Sequence, residues 1–375
     1  MIYFSILISI IYFVLILAFI IGFDKIELIQ NKNTTPKNSF SIVVPFRNEA
    51  PNLTQLLNSL LAINYLTELF EILLVNDDSK DNFKIIIESF KQQNPSLNIQ
   101  LINNKISANS PKKDAITLAI KKSKFEWIVT TDADCIVPEN WLQLFNQYIG
   151  EKQPLLISAP VKFKGQNTFL YHFQNLNFNS LVGSTIGSFG LKKPFMCNGA
   201  NLCYKKETFF TVNGFEGNSK IASGDDVFLL EKINTAFPNK ACYLKSNEAI
   251  VQTNSETNLK SFFNQQIRWA SKSTAYKSDF SKFVGLTILG MNLMLIALLF
   301  LVIINPLFWK YLLIICIQKL FFDFLLIFKT SLFLKNTHSL KYTIFISILY
   351  PFFIVYIGVL SLFKSYNWKG RNFSK

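Results

Sequence analysis

The sequence predicts an α/β domain with a mostly parallel sheet flanked by helices, set between apolar membrane segments at both ends of the chain. Two patterns predict this. From residue 40 onward, short runs rich in β-branched residues alternate with segments whose apolar residues recur at helical spacing. The hydrophobic excess, half of all residues with 38 Phe among them, is concentrated at the two termini.

The first segment, residues 1–23, carries no charge. Ile2–Phe23 is long enough to cross a hydrocarbon core of about 30 Å, which takes roughly 20 residues. It has no basic n-region and no short apolar stretch ending in a small-residue cleavage site, so an anchor is favoured over a cleaved signal. Residues 24–39 read as a linker, since Gln30–Ser39 is polar and contains Pro36. Phe40–Pro45, Glu71–Val75, Ile99–Ile102 and Trp127–Thr130 read as buried strands. Between them, Leu53, Leu56, Leu57, Leu60 and Leu61 mark one helix. Phe83, Ile86, Ile87 and Phe90 mark a second, and Ile116–Ile120 belongs to a third. Such alternation implies a parallel sheet covered on both faces, with ligands at the carboxyl ends of the strands. The catalytic domain is expected over 40–282. A C-terminal membrane region of two to three helices should follow over 283–364, then a basic tail over 365–375.

The formal net charge is +14. Lys25, Lys32 and Lys37 follow the first apolar run, and Lys272, Lys277 and Lys282 precede the second. By the positive-inside rule these place the middle domain in the cytoplasm, as part of a multi-pass protein of the cytoplasmic membrane. No recognisable motif supports nucleic acid as a partner. Cys135, Cys197, Cys203, Cys242 and Cys316 form no close C-x-x-C pair, and His172 and His338 are the two histidines, which argues against zinc. An odd number of scattered cysteines fits a reducing compartment.

Acidic or polar groups follow the first, second and fourth strands: Pro45-Phe46-Arg47-Asn48-Glu49, Asn76-Asp77-Asp78-Ser79-Lys80-Asp81 and Thr131-Asp132-Ala133-Asp134. Each alone can be a helix cap. One parallel sheet brings them together, however, and crowded like charges are costly without a cation or ligand between them. Asp132 and Asp134 offer hard oxygens suited to Mg²⁺ or Mn²⁺. Such an ion bridges to a diphosphate and stabilises it as a leaving group.

SIVVPFRNE (41–49), ILLVNDDSKD (72–81), PKKDAI (111–116), TTDADC (130–135), NGAN (198–201), SGDD (223–226) and QQIRW (265–269) occur in that order. In this ordered set the chain resembles the family 2 inverting glycosyltransferases, which have the GT-A nucleotide-sugar fold. The resemblance covers about residues 40–270. It implies that Pro45, Arg47 and Glu49 line the nucleotide pocket and that Asp77 bonds the base, by position a uracil. Lys112, helped by Lys113, would contact nucleotide or phosphate. Asp132 would serve nucleotide and metal, and Asp134 would be the more direct metal ligand. Asp226 would be the general base. The family usually has Glu-Asp where this chain has Asp225-Asp226; an Asp pair capping the following helix is the other reading of these two. Asn198 and Gly199 would approach the donor sugar. Gln265, Arg268 and Trp269 would sit at the acceptor entrance and close over the diphosphate; an interfacial Trp and Arg anchor is the alternative there.

Gln318, Lys319 and Asp323 interrupt the apolar run 307–328, and Lys319 and Asp323 are spaced to pair on one helix face. Four full spans would put Lys364, Lys369, Arg371 and Lys375 outside, against the positive-inside rule. An interfacial placement of one C-terminal run removes that conflict. The expected reaction moves a sugar from a nucleotide-diphosphate donor to a lipid-linked or glycan acceptor at the membrane lipids. A processive polysaccharide synthase and a non-catalytic membrane scaffold are the rivals.

Overall fold

The computed structural model describes residues 2–104, 110–218, 221, 223–363 and 365–373; Lys364 and Lys375, counted above among the basic residues of the tail, lie outside these. The chain opens with helix α1 (Ile2–Lys25) and continues into β1 (Phe40–Phe46), α2 (Ala50–Leu61), β2 (Phe70–Asn76), α3 (Phe83–Gln93), β3 (Ile99–Asn103), α4 (Pro111–Lys122) and β4 (Trp127–Thr130). Next come β5 (Cys135–Ile136), α5 (Trp141–Lys152), β6 (Leu156–Ser158), β7 (Val161–Lys164) and α6 (Phe169–Gly190). After α6 follow β8 (Leu202–Lys205), α7 (Lys206–Thr211), α8 (Asp225–Ala236), β9 (Ala241–Tyr243) and β10 (Val251–Asn254). The last stretch holds α9 (Leu259–Ser271), α10 (Asp279–Ile304), α11 (Trp309–Phe333), α12 (Thr343–Phe363), β11 (Tyr366–Trp368) and β12 (Arg371–Phe373).

These elements form two compact units. One is Glu27–Lys164 with Met196–Asn254; the other is Met1–Ile26, Gly165–Phe195 and Ser255–Lys375.

The first unit carries a 7-stranded sheet in the order β3-β2-β1-β4-β8-β6-β9. The expected strands β1 to β4 are mutually parallel, as are β6 and β9. β8 runs antiparallel to both β4 and β6. Strands β1 and β2 are buried along their whole length, so they read as continuous apolar runs rather than alternating ones. Their one internal carboxylate, Glu71, is satisfied by Ser41 Oγ at 2.7 Å, the Lys124 amide at 2.6 Å and Gln100 Nε2 at 3.1 Å. Helix α2 buries Leu53, Leu56, Leu57 and Leu60. Leu61, expected on the same face, is exposed because it lies beyond the buried stripe. A 3-stranded sheet, β5-β10-β7, completes the unit.

The linker is strapped down. Asn146 Oδ1 on α5 accepts from the amides of Lys37 and Asn38 at 3.0 and 3.1 Å. Gln147 Oε1 accepts from the Lys32 amide at 2.9 Å, and Gln143 Nε2 donates to the Thr34 carbonyl.

Among the described residues, the second unit contains 4 helices long and apolar enough to cross a membrane: Ser5–Lys25, Asp279–Ile304, Pro306–Phe333 and Thr337–Phe363. Tyr12, Leu15, Ile16 and Phe19 of α1 join Met291, Leu295 and Leu298 of α10 and Ile315 and Leu326 of α11 in one core. Leu286, Ile303, Phe345 and Phe363 stay exposed, the kind of apolar surface that lipid covers. Helix α6, for which the sequence offered no apolar stripe, lies against α1 and α11. A Cβ on its Gly187 would sit 2.4 Å from the Phe19 carbonyl, so a glycine is needed for the helices to approach this closely. Residues 366–373 form an antiparallel hairpin where a tail was expected.

Lys319 and Asp323 do pair on α11. The Tyr12 hydroxyl donates to Asp323 Oδ1 at 2.6 Å, and the Lys319 ammonium lies 5.4 and 5.3 Å from the ring centroids of Tyr12 and Tyr350. Removing one member strands the other without its counter-charge, whereas replacing both by apolar groups does not. Lys319→Met should therefore cost about 3–5 kcal/mol, and Lys319→Met with Asp323→Leu should regain most of it. Thermal unfolding of the detergent-solubilised protein reads the difference.

Candidate active site

Parallel pairing of β1 with β2 and with β4 sets their carboxyl ends on one edge of the sheet. Phe46 is opposite Asn76, and Val43 is opposite Thr130. The three polar clusters that follow these strands therefore leave the same edge.

At the β1–β2 end, the Arg47 guanidinium donates to the carbonyls of Asp77 and Asp78 at 2.8 and 2.6 Å and to Asp78 Oδ2 at 3.2 Å. Arg47 thus shapes the turn that carries Asp77. Lys80 and then Arg47 hold the half-exposed Asp78 carboxyl below its ordinary range. Asp77 is 3 % exposed. Its amide donates to the Phe46 carbonyl at 2.8 Å, and its Oδ1 accepts from Asn104 Nδ2 at 3.1 Å. Pro45 is buried in β1 opposite Val75. Glu49 precedes α2 and accepts from Asn52 Nδ2 at 2.6 Å.

At the β4 end, helix α4 delivers Lys112. Its ammonium is 2.8 Å from Asp132 Oδ1 and 3.4 Å from Asp225 Oδ2. Burial acts to lower the pKa of Lys112, but Asp132 and Asp225, with Asp226 behind them, outweigh it. The lysine is held protonated well above its ordinary range. Asp134 Oδ2 accepts from Thr253 Oγ1 of β10 at 3.2 Å. Burial first, then the charges of Asp134 and Asp132, push the neighbouring Cys135 thiol up, so it stays protonated.

The turn Asn198–Asn201 joins the two acidic segments. Thr130 Oγ1, just before the D-x-D, donates to the Gly199 carbonyl at 2.6 Å, and the Gly199 amide donates to Asp226 Oδ2 at 3.2 Å. A Cβ at Gly199 would lie 3.2 Å from Asp225 Oδ2, a tight contact that a larger residue would relieve only by shifting the Asp225 carboxylate a few tenths of an ångström. Asn198 Oδ1 caps the turn through the Ala200 amide at 3.0 Å. Gly224 (φ +83°) precedes α8, which starts at Asp225 and Asp226. Asp226 Oδ1 also accepts from the Val227 amide at 2.7 Å.

Gln265, Arg268 and Trp269 belong to the other unit. They share one face of α9 by their spacing. Gln265 Nε2 donates to Glu256 Oε1 at 3.2 Å, and the Trp269 ring lies 6.1 Å from that of Phe178.

The protein donors fit a divalent ion that shares its coordination shell with a ligand. Among the described residues no group of three or more His, Cys, Asp or Glu could hold a metal alone. Mg²⁺ in particular is commonly held by one or two carboxylates plus substrate phosphates, and Asp132 and Asp134 supply such carboxylates.

Two residues take structural parts that the sequence reading did not give them: Lys113 was expected to help Lys112 at the nucleotide, and Asn201 stood in the N-G-A-N motif as part of the donor turn. Lys113 is 2 % exposed and donates to backbone carbonyls, which turns it away from a nucleotide-binding role. Asn201 is fully buried; it donates to the Pro160 and Ala249 carbonyls at 2.7 and 2.8 Å and accepts from Trp141 Nε1 at 2.9 Å. Its place in N-G-A-N was the available signal, but spacing alone does not separate the capping Asn198 from the structural Asn201.

A model of glycosyl transferase family 2 matches residues 41–209, and one of glycosyl transferase family group 2 matches residues 127–359. The second match spans most of the chain, and the chain belongs to glycosyl transferase family group 2. It is 31 % identical over 116 residues to the dolichyl-phosphate beta-glucosyltransferase of Dictyostelium discoideum, covering 29 % of this chain and 34 % of that protein. It is 25 % identical over 137 residues to the poly-beta-1,6-N-acetyl-D-glucosamine synthase of Staphylococcus aureus (strain COL), covering 36 % of this chain and 32 % of that one. The chain thus matches about a third of the length of these curated relatives. A solved mannosyltransferase from Pyrobaculum calidifontis, in complex with GDP-Man and Mn²⁺, superposes with a TM-score of 0.57 at 14 % identity, covering 96 % of this chain and 98 % of that one. The shared fold is the GT-A fold.

The two asparagines of the turn should separate on mutation. Asn201→Leu abandons buried partners and should cost about 3 kcal/mol or more. Asn198→Ala loses one cap, about 1 kcal/mol. Comparable losses in denaturant unfolding would contradict this division.

Proposed function

We propose that the protein is a membrane-bound inverting glycosyltransferase. It would move a sugar from a nucleotide-diphosphate donor, by its motif a UDP-sugar, to a lipid-linked or polysaccharide acceptor. One observation carries the reading: Lys112 ties Asp132 of the D-x-D to Asp225, with Asp226 next to it on the same edge. An ammonium has three donors, so Lys112 can engage a phosphate oxygen while keeping its carboxylates.

In this reading Asp77 and the Arg47-shaped turn take the base, with Pro45 and Glu49 beside the nucleotide. Asp134 and Asp132 would hold Mg²⁺ or Mn²⁺, which would supply positive charge for a diphosphate leaving group. Asp226, aimed by the Gly199 and Val227 amides, takes the proton from the acceptor hydroxyl. The acceptor oxygen bonds the anomeric carbon as the carbon–diphosphate bond breaks, and the configuration inverts. Asn198 and Gly199 border the donor sugar. Gln265, Arg268 and Trp269 act on acceptor and diphosphate, Arg268 by its planar fork. The boundaries 24–39, 40–282 and 283–364 serve as linker, catalytic domain and membrane region. The juxtamembrane lysines favour a multi-pass protein with its catalytic domain on the cytoplasmic side.

The dolichyl-phosphate relative favours a lipid phosphate as acceptor. The poly-N-acetylglucosamine synthase relative supports a second reading, processive polymerisation. Product length from the purified protein separates them: single additions favour the first, long chains the second.

A panel of UDP- and GDP-sugars should show turnover with one donor, dependent on Mn²⁺ or Mg²⁺ and abolished by chelator. Asp226→Asn should lower kcat by about 10²–10⁴ while nucleotide still binds. Asp134→Asn should raise the metal concentration needed for half-activity. Wild-type protein that turns over no donor would sink the proposal.

A further inference from the structure

Lys113 is a buried ammonium on the first turn of α4, next to Lys112 but turned to different partners. Its Nζ donates to the carbonyls of Asn218 and Ile221, both at 2.8 Å, and lies 5.0 Å from the ring centroid of Phe228 on α8. The Asn218 carbonyl also accepts from the Ile221 amide at 3.1 Å, so the lysine and this amide share one acceptor. Three residues beyond Ile221 the chain reaches Gly224 (φ +83°), and Asp225 and Asp226 follow at once. At the other end of this connection, Lys232 of α8 donates to the Gly214 carbonyl at 2.7 Å.

A buried cation is expensive unless its donors are matched, and an aliphatic side chain could fill the space without that cost. Placing a charge here gains directional bonds to the segment that enters α8. Adjacent residues of α4 thereby hold both sides of the acidic pair: Lys112 through the Asp225 carboxylate, Lys113 through the backbone before it.

We infer that Lys113 is a positioning residue for the general base: it holds the backbone at Asn218 and Ile221, ahead of Asp226, without touching the donor. The inference rests on the role given to Asp226 under the proposed function. Small misplacements of a reacting group cost up to about 100-fold in rate. The test is Lys113→Met in the full-length, detergent-solubilised protein, with Lys113→Arg as the variant that retains a charged donor. Lys113→Met should lower kcat about 10- to 100-fold and leave the donor KM and the Kd for UDP within about twofold of wild type. The Ile221 amide should exchange its hydrogen at least about tenfold faster, and Lys113→Arg should recover part of both losses. A folded Lys113→Met protein with unchanged kcat overturns the inference. So does a donor KM or UDP Kd raised about tenfold, which would put Lys113 on the nucleotide. If Lys113→Met does not fold, the same readouts on Lys113→Arg decide: unaltered kcat, KM and Ile221 exchange, with a guanidinium in place of the fitted ammonium, count against it. Wild-type protein without turnover removes the proposed function, and the Ile221 exchange rate alone then decides whether Lys113 holds the backbone at Asn218 and Ile221.

Discussion

One ammonium between carboxylates from distant parts of the chain, Lys112 between Asp132 and Asp225, is the contact on which the catalytic edge depends. Anions gathered at one place repel unless a cation lies among them. Here the cation arrives on the first turn of α4, so the sheet order that seats α4 beside β1 also offsets part of the negative charge. The backbone adds a second tie through Gly199, which receives the Thr130 hydroxyl on its carbonyl and offers its amide to Asp226. The acidic pair is therefore fixed by charge from one side and by a peptide unit from the other.

Elements with a single strong period were legible. Strand β4 was read to the residue, and β1 to β3 within a residue at each end, because continuous apolar runs bounded by polar ones leave little freedom. The acidic residues could be grouped before the structure because parallel strands must end on one edge. Antiparallel β8 (LCYK), β7 (VKFK) and β10 (VQTN) were not read because charged or polar residues break their apolar run, and β5, β6 and β9 because they have only two or three residues. Helix α6 was hidden for a different reason: its buried face includes His172, Gln174, Asn175, Asn177 and Asn179, residues that pattern reading assigns to solvent.

Those polar groups find partners within their own unit, although among the described residues nothing bonds the buried Asn179 Oδ1. His172 Nδ1 meets Ser339 Oγ at 2.9 Å, Asn175 Nδ2 donates to Ser339 Oγ at 2.8 Å, and Asn179 Nδ2 donates to Ser331 Oγ at 2.9 Å. Between helices bearing large apolar surfaces, such bonds give direction that apolar packing lacks. The same logic explains Lys113: a charge was placed where an apolar side chain would fill the volume, and only the carbonyls it meets reveal why. Side chains whose partners are backbone atoms elsewhere in the chain are the least visible to any reading of sequence.

The contact between Tyr12 and Asp323 spans 311 residues. Helix α1 leaves the ribosome well before α11, which carries the carboxylate partner of Tyr12. At about 5–20 residues per second, the interval is about 15–60 s. Throughout that time the Tyr12 hydroxyl needs temporary company, from lipid or from the insertion machinery. Assembly of this unit is thus a matter of translation timing, and a chain truncated before α11 would leave the newborn helix without its mate and exposed to quality-control proteolysis.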